Sequence, residues 1–120
     1  MISPTGSLRV FVCTQPADMR RSFDGLCGMA RDIMKQDPLS GHLFLFRNRN
    51  RDRLKVLYWD RDGLAIWYKR LEKGTWQFPT DVRQNAEPGV EISAQELSLL
   101  LDGIDLRSVE RRRRYQKKSK

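Results

Sequence analysis

The feature that most constrains the fold of this chain is a run of three strand-like segments near its centre. They are rich in aromatic residues and leucine and extend over His42 to Arg47, Arg53 to Trp59 and Leu64 to Leu71. Because each gap between them is only a few residues long, they can be joined only as antiparallel neighbours. The sequence therefore predicts a β-meander at the centre of the molecule.

The turns of this meander predict how its strands face one another. Asp60-Arg61-Asp62-Gly63 matches a type I turn with Gly63 in the left-handed conformation, as in a three-residue hairpin loop with a bulge. The predicted register pairs Tyr58 with Ile66, Val56 with Tyr68, and Arg47 with Arg53. One face of the meander then forms a core wall for a helix: His42, Phe44, Phe46, Leu54, Val56, Tyr58, Ile66 and Tyr68.

Shorter elements flank the meander. Leu8 to Val12 is typical of a strand, and Asp18 suits the N-cap of a helix whose apolar stripe runs from Phe23 to Met34 and stops at Asp37-Pro38. Ser93-Ala94-Gln95-Glu96 is a capping box in front of a second helix. We therefore expect an α+β fold: an antiparallel β-meander of about four or five strands packed by one amphipathic helix, with a short C-terminal helix and a basic, disordered tail. Residues 1–106 should form a single domain and residues 107–120 the tail.

The net charge of the chain is concentrated in this tail. Between Arg107 and Lys120 there are eight Lys/Arg and one acid, so the tail holds +7 of the formal net charge of +8. A basic arm favours binding to a polyanion, because each cation that meets a phosphate releases condensed counterions. We predict duplex DNA contacts for seven tail residues: Arg111, Arg112, Arg113, Arg114, Lys117, Lys118 and Lys120. The alternatives are a solubilising end and a segment that pairs with an acidic protein.

A second basic segment lies at the tip of the first predicted hairpin. Residues 47–53 alternate Arg with Asn or Asp and have a net charge of +3. Guanidinium groups can contact phosphates and guanine edges, and asparagine amides can contact adenine edges, so a β-ribbon in a DNA groove is chemically sensible. We therefore predict nucleic-acid contacts for Arg47, Arg49, Arg51 and Arg53. The alternative is a solvated turn, for which Asn and Asp are the usual residues.

The second face of the predicted meander mixes aromatic and basic side chains, among them Trp59, Trp67, Lys55 and Lys69. Such a face is too apolar to lie bare in water and too basic to be fully buried. Either the second helix covers half of it, or it binds a partner. These four residues are our candidate contacts for a protein partner.

The sequence offers little for catalysis. His42 is the only histidine, and its place at a strand start favours a packed or turn-bonding role. Asp60 and Asp62 could hold a metal in a nuclease-like enzyme, but a two-metal site needs several convergent carboxylates, and turn bonding explains both residues. Cys13 and Cys27 lack metal-binding or redox spacing, which favours ordinary thiols over a disulfide. We expect no enzyme activity, no cofactor and no metal.

Targeting signals are also missing from the sequence. No apolar run approaches the ~20 residues of a membrane span. The first six residues lack the charged and apolar regions of a secretion signal. We therefore expect a cytoplasmic protein without membrane contact.

Several of these motifs, in this order, resemble one known family. They are Pro16–Arg20, Asp24–Leu26, Asp37–Arg49, Leu57–Asp60, Gly63, Trp67–Glu72, Gly74, Phe78-Pro79 and Leu100–Asp105. The chain resembles the TnpB accessory proteins, encoded by the second open reading frame of the IS66 group of bacterial insertion sequences. The resemblance covers about Leu8 to Asp105. It implies a small accessory factor for DNA transposition, encoded beside a separate transposase that is its expected partner. The family implies no catalytic residues, and the arginine tail lies outside the matched region.

Overall fold

The computed structural model describes residues 8–83 and 86–102, together with the backbone of 104–105 and 110–111. The elements in chain order are β1 (Val10–Cys13), α1 (Phe23–Asp32), β2 (Leu43–Arg47), β3 (Arg53–Asp60), β4 (Gly63–Arg70), a 3-10 turn (Pro79–Val82), β5 (Gly89–Ile92), α2 (Ala94–Leu101), β6 (Ile104–Asp105) and β7 (Glu110–Arg111). Five strands form one sheet in the order β4-β3-β2-β1-β5, and β6 pairs with β7. The predicted α+β class is confirmed. Within the described ranges, no helix is long and apolar enough to cross a membrane.

The sheet is mixed rather than purely antiparallel. Strands β2, β3 and β4 form the predicted antiparallel meander. Strand β1, however, runs parallel to β2, and β5 is antiparallel to β1. The long connection through α1 makes the parallel pair possible, because a parallel neighbour needs a crossover of about a dozen residues or more.

The register of the meander differs by one residue from the predicted register. The observed pairs include Arg47 with Leu54, Val56 with Trp67, and Tyr58 with Ala65. The second turn is tighter than predicted, because Arg61 takes the left-handed conformation (φ 59°) and Asp60 pairs directly with Gly63. Since neighbouring residues of a strand point to opposite faces, a slip of one residue exchanges the faces.

The slip divides the predicted core wall between two cores, one on each face of the sheet. Under α1 the buried residues include Phe11, Leu26, Ala30, Phe44, Phe46 and Leu57. On the opposite face they include Val12, Leu45, Leu54, Val56, Trp76, Phe78 and Leu100. The face opposite α1 is therefore covered in its centre by the 76–78 segment and by α2.

Helix α1 is shorter than its apolar stripe. Ser22, not Asp18, precedes its first turn, and Asp18 instead accepts the backbone N–H of Arg20 at 2.9 Å. At the other end Lys35 is left-handed (φ 60°) and the Gln36 N–H donates to the Ala30 carbonyl, so the helix ends at Asp32, well before Pro38.

Helix α2 begins as predicted. The Ser93 Oγ accepts the Glu96 N–H at 3.0 Å, and the Glu96 carboxylate accepts the Ser93 N–H at 2.9 Å. These reciprocal bonds satisfy amides that the first helical turn leaves without partners. The predicted disordered tail, residues 107–120, lies outside the described residues, apart from the backbone of 110–111 in β7.

Candidate nucleic-acid interface

The arginine-rich tip lies in the turn between β2 and β3, and its four arginines have two different surroundings. Arg47 and Arg51 interact with Asp81 of the 3-10 turn, whereas Arg49 and Arg53 line a surface groove on the other side. Residues 48–52 form the turn and Arg51 is left-handed there (φ 63°), so the alternation of side chains along a strand is broken between Arg47 and Arg53. The tip is therefore two structural sites, not one uniform basic patch.

Arg47 is a core residue. Its guanidinium forms a bidentate ion pair with the Asp81 carboxylate, donates to the Trp76 carbonyl at 2.8 Å, and lies 4.0 Å from the centre of the Phe78 ring. Only 6% of its side chain is exposed. Burial raises the pKa of Asp81, but the hydrogen bond and charge of Arg47 outweigh it, so the pKa of this carboxyl lies below its ordinary value. We exclude Arg47 from the candidate interface, because its guanidinium is already fully engaged.

Arg51 is intermediate between a core and a surface residue. Its side chain is 50% exposed, and its guanidinium lies 3.6 Å from the same Asp81 carboxylate. Its carbonyl accepts the Trp76 N–H at 2.7 Å, which fixes the tip against the segment that follows β4. Arg51 is accessible to a ligand, but Asp81 already offsets part of its charge.

The groove lies between the tip and the loop that joins β1 to α1. Its volume is about 830 Å³, and its walls come from residues 15–21, 48–50, 52 and 53, with Met29 and Ile33 of the α1 region. Four of the lining residues are arginines and two are aspartates, so its net charge is +2. The added cations, Arg20 and Arg21, were not among the residues predicted from the sequence.

Two contacts hold the β1–α1 loop in place beside the tip. The Ala17 N–H donates to the Arg47 carbonyl at 2.9 Å. The buried Lys55 Nζ donates to the carbonyls of Met19 and Arg21 at 2.9 and 2.7 Å, and lies 4.7 Å from the Tyr68 ring centre. Lys55 was predicted to face a partner, but its ammonium is directed into the protein and supports the loop.

The two carboxylates of the groove have partners of their own. Asp18 pairs with Arg20 at 2.6 Å, and Asp52 accepts from the Asn48 side-chain amide at 2.6 Å. The hydrogen bonds from Arg20 lower the pKa of Asp18 to about 2. By contrast, the guanidiniums of three groove arginines have no carboxylate within 4.0 Å among the described residues: Arg21, Arg49 and Arg53. These three provide unpaired charge for an anionic ligand.

The predicted aromatic face is not a single surface. Trp59 pairs with Leu64 on the α1 side of the sheet, whereas Trp67 lies on the opposite side, edge to face with Trp76. Trp67 is 41% exposed on β4, the edge strand of the sheet, and the exposed Lys69 is two residues further along that strand. Thus only Trp67 and Lys69 remain neighbours on an accessible surface.

The residues considered for catalysis lie away from the groove. Asp60 and Asp62 flank Arg61 in the β3–β4 turn, at the opposite end of the sheet. The His42 Nδ1 accepts the Arg9 N–H at 3.0 Å, in agreement with the predicted packed or turn-bonding role. Burial raises the pKa of the free thiols Cys13 and Cys27. Within the described part of the chain, no three His, Cys, Asp or Glu residues lie close enough together to hold a metal ion.

The tail cations fall on residues whose side chains the structure does not describe. They are Arg111, Arg112, Arg113, Arg114, Lys117, Lys118 and Lys120. Their role stays a prediction from the sequence. Asp81 was not predicted from the sequence, where the only available signal was a lone aspartate after Phe78-Pro79.

Comparison with known proteins identifies the family. The family model described as IS66 Orf2 like protein matches residues 8–111. The chain is 39% identical over 112 residues to the uncharacterized protein y4jC of Sinorhizobium fredii (strain NBRC 101917 / NGR234), covering 93% of this chain and 92% of that protein. It is 40% identical over 106 residues to the uncharacterized protein y4hO of the same strain, covering 87% and 88%. No solved structure matches the chain. The chain therefore belongs to the IS66 Orf2-like family, the accessory proteins of an insertion-sequence group.

Proposed function

We propose that this protein is a non-catalytic accessory factor for DNA transposition that binds DNA through one basic end of its sheet and its C-terminal tail. The family supports the transposition role. The observation that carries the DNA-binding part is the position of the charges in the folded domain. These charges support DNA binding independently of the tail cations, whose role is predicted from the sequence alone.

Cations gather where β2 ends, β3 begins and β4 ends. The pairing of these strands brings the loops 14–22, 48–53 and 69–73 to the same end of the sheet, and the Leu71 N–H donates to the Asp52 carbonyl at 2.7 Å. These three segments contain eight Lys or Arg and three acids: Arg20, Arg21, Arg49, Arg51, Arg53, Lys69, Arg70 and Lys73, with Asp18, Asp52 and Glu72. Because residues 1–106 have a net charge of only +1, acids predominate elsewhere. Such segregation favours one polyanionic partner at this end.

The expected contacts are with the phosphate backbone. Arg49 and Arg53 supply unpaired guanidiniums from the tip, and Arg51 adds a weaker contact. The tail cations Arg111 to Arg114, Lys117, Lys118 and Lys120 supply further phosphate contacts. Since each neutralised phosphate releases counterions, binding should be strong at low salt and should depend little on sequence.

A salt titration with the full-length chain tests this proposal. Binding to a labelled element-end duplex and to a scrambled duplex is measured by fluorescence anisotropy at several salt concentrations. Arg49→Gln should lower the slope of log K against log salt by about one, equally for both duplexes. The matched control is Arg61→Gln, whose side chain is 92% exposed and which follows the far end of β3, a strand about 23 Å long. Equal slopes for R49Q, R61Q and the unaltered chain would contradict the proposal.

The tail is tested separately by changing the seven cations predicted to bind DNA, among the eight of the tail, to glutamine in the full-length chain. The slope should fall by several units, because each lost phosphate contact on duplex DNA removes about 0.9. If neither the original nor the altered chain binds at physiological salt, direct DNA binding is wrong.

A second candidate function is docking on the transposase encoded by the same element. The half-exposed Trp67 favours it, because an exposed tryptophan on an edge strand beside Lys69 is typical of an interface anchor. Trp67→Ala should then weaken co-sedimentation with the purified transposase at least tenfold and leave DNA affinity unchanged. Undiminished co-sedimentation would remove this candidate.

A further inference from the structure

We propose that the groove between the β1–α1 loop and the β2–β3 tip binds an unpaired nucleotide of a DNA strand, not only the outside of a duplex. This inference rests on the proposed DNA-binding function and assigns a distinct ligand to one part of the basic end. It follows from what lines the groove, from the charges that are unpaired there, and from how firmly its walls are held.

The lining of the groove combines an apolar floor with a cationic rim. Met29 is buried and Ile33 half-buried, so their side chains lie at the bottom, whereas Arg20, Arg21 and Arg49 are exposed at the mouth. A duplex offers the protein surface phosphates and sugars, while its bases are stacked inside. An unpaired nucleotide offers a phosphate to the rim and a base and sugar to the floor. The lining therefore fits the unpaired nucleotide better.

The unpaired charges point to the same ligand. Arg21, Arg49 and Arg53 come from both walls of the groove, and none has a carboxylate partner among the described residues. Asp18 and Asp52 would repel a phosphate, but Arg20 and Asn48 already bind them. Guanidinium groups are the preferred ligands for phosphate oxygens, because two parallel N–H groups can bind at once.

The size and rigidity of the groove suit a ligand of this class. Its volume of about 830 Å³ lies within the range of about 300–1,000 Å³ that is typical of small-molecule sites. Its walls are held by the Ala17–Arg47 backbone bond and by Lys55, so little ordering is required when a ligand enters. Because the described floor is aliphatic, it should accept any base.

The test compares two labelled probes with the full-length chain: a blunt duplex, and the same duplex with a single-stranded overhang of about five nucleotides. At about 0.1 M salt, each phosphate contact on a single strand is worth about fivefold, from a slope of about 0.7 per contact. We expect the overhang probe to bind at least tenfold more tightly than the blunt probe. The triple variant R21Q/R49Q/R53Q should abolish that difference, and Arg61→Gln should retain it.

A second variant separates the apolar contact from the charges. Ile33→Gln changes the floor and leaves every charge in place, so it should reduce the overhang preference at least threefold with no change in salt slope. Within residues 8–102, amide chemical-shift changes on adding the overhang strand alone should be largest at 15–21, 29–33 and 48–53, which checks the site without any substitution.

The outcomes distinguish the two proposals. The inference would be overturned if the unaltered chain bound both probes with equal affinity. It would also be overturned if the triple variant lost the same factor of affinity for both probes. In either case the proposed binding to duplex DNA would stand. Failure to bind either probe would overturn the inference and the proposed DNA-binding function together.

Discussion

Asp81→Asn is expected to destabilise the domain by about 3 kcal/mol, because it leaves the buried guanidinium of Arg47 without a counter-charge. The two side chains are only 6% and 8% exposed. Breaking a buried ion pair by removing one partner costs about 3–5 kcal/mol. Asparagine retains an oxygen for the Phe78 N–H, which Asp81 accepts at 2.9 Å, so the lower end of that range applies. The free energy of unfolding of a whole domain is about 5–15 kcal/mol, so the variant should still fold.

The measurement is chemical unfolding at pH 7 followed by circular dichroism, with Arg51→Gln as the matched control. Arg51 approaches the same carboxylate at 3.6 Å, but its side chain is 50% exposed. Losing such an exposed pair should cost less than about 1 kcal/mol. A double-mutant cycle of R47M with D81N should give a coupling free energy of about 2 kcal/mol or more. If D81N lowered the free energy of unfolding no more than R51Q does, the claim that the Arg47–Asp81 pair holds the tip in place would be refuted.

The pH dependence gives an independent check with a defined sign. The pKa of Asp81 is lower in the folded state than its ordinary value of about 3.9. A carboxylate with a lowered folded pKa stabilises the protein above its unfolded pKa and loses that contribution as the pH falls through the folded pKa. The difference in free energy of unfolding between the original chain and D81N should therefore have its full value at pH 7 and decrease below about pH 4. A difference that is constant down to pH 2 would argue against ionisation as its cause.

Two further predictions concern the packing around the groove and the sheet. Gly89→Ala should destabilise the domain by about 1–3 kcal/mol, because the new Cβ would lie 2.7 Å from the Met34 Cβ and 3.0 Å from its Cα. Gly28→Ala, whose Cβ would meet no atom within 4 Å, should instead stabilise it by about 0.5–1 kcal/mol; thermal unfolding of the pair would reveal opposite signs. Lys55→Met should cost about 1.5–3 kcal/mol through its two lost bonds to loop carbonyls. Faster amide exchange over residues 15–22 should accompany that loss, and unchanged exchange would contradict the anchoring role.

The sequence predicted the individual helices and strands of this fold better than the pairing and register of its strands. The capping box of α2 and the three meander strands have sequence signals that act within a few residues, and both are present. The predicted register of β3 with β4 was wrong because it depended on which residue of the second turn is left-handed. Glycine is the usual choice at such a position, but here Arg61 takes it. The parallel β1–β2 pair could not be read from the sequence, because it depends on how the crossover packs.

The candidate site was predicted in part. The alternating Arg and Asn residues located the tip, and composition alone marked it as basic. The sequence could not show that Lys55 is buried, because a lysine on a strand of mixed polarity has the same local pattern whether its ammonium meets water or backbone carbonyls. Nor could it show Arg21 beside Arg49, since their contact with a common groove depends on the crossover between β1 and β2.

The ion pairs of Asp81 reduce the number of tip arginines that are available to a ligand. Counted along the sequence, residues 47–53 offer four arginines to a ligand. In the fold, one carboxylate from a segment about 30 residues away binds Arg47 fully and Arg51 in part, and so fixes the turn that presents the other two. The salt slope of DNA binding should therefore respond more to Arg49→Gln and Arg53→Gln than to Arg51→Gln. Under the proposed function, Arg47 holds the tip in shape through Asp81, whereas Arg49 and Arg53 are the tip residues expected to contact phosphates.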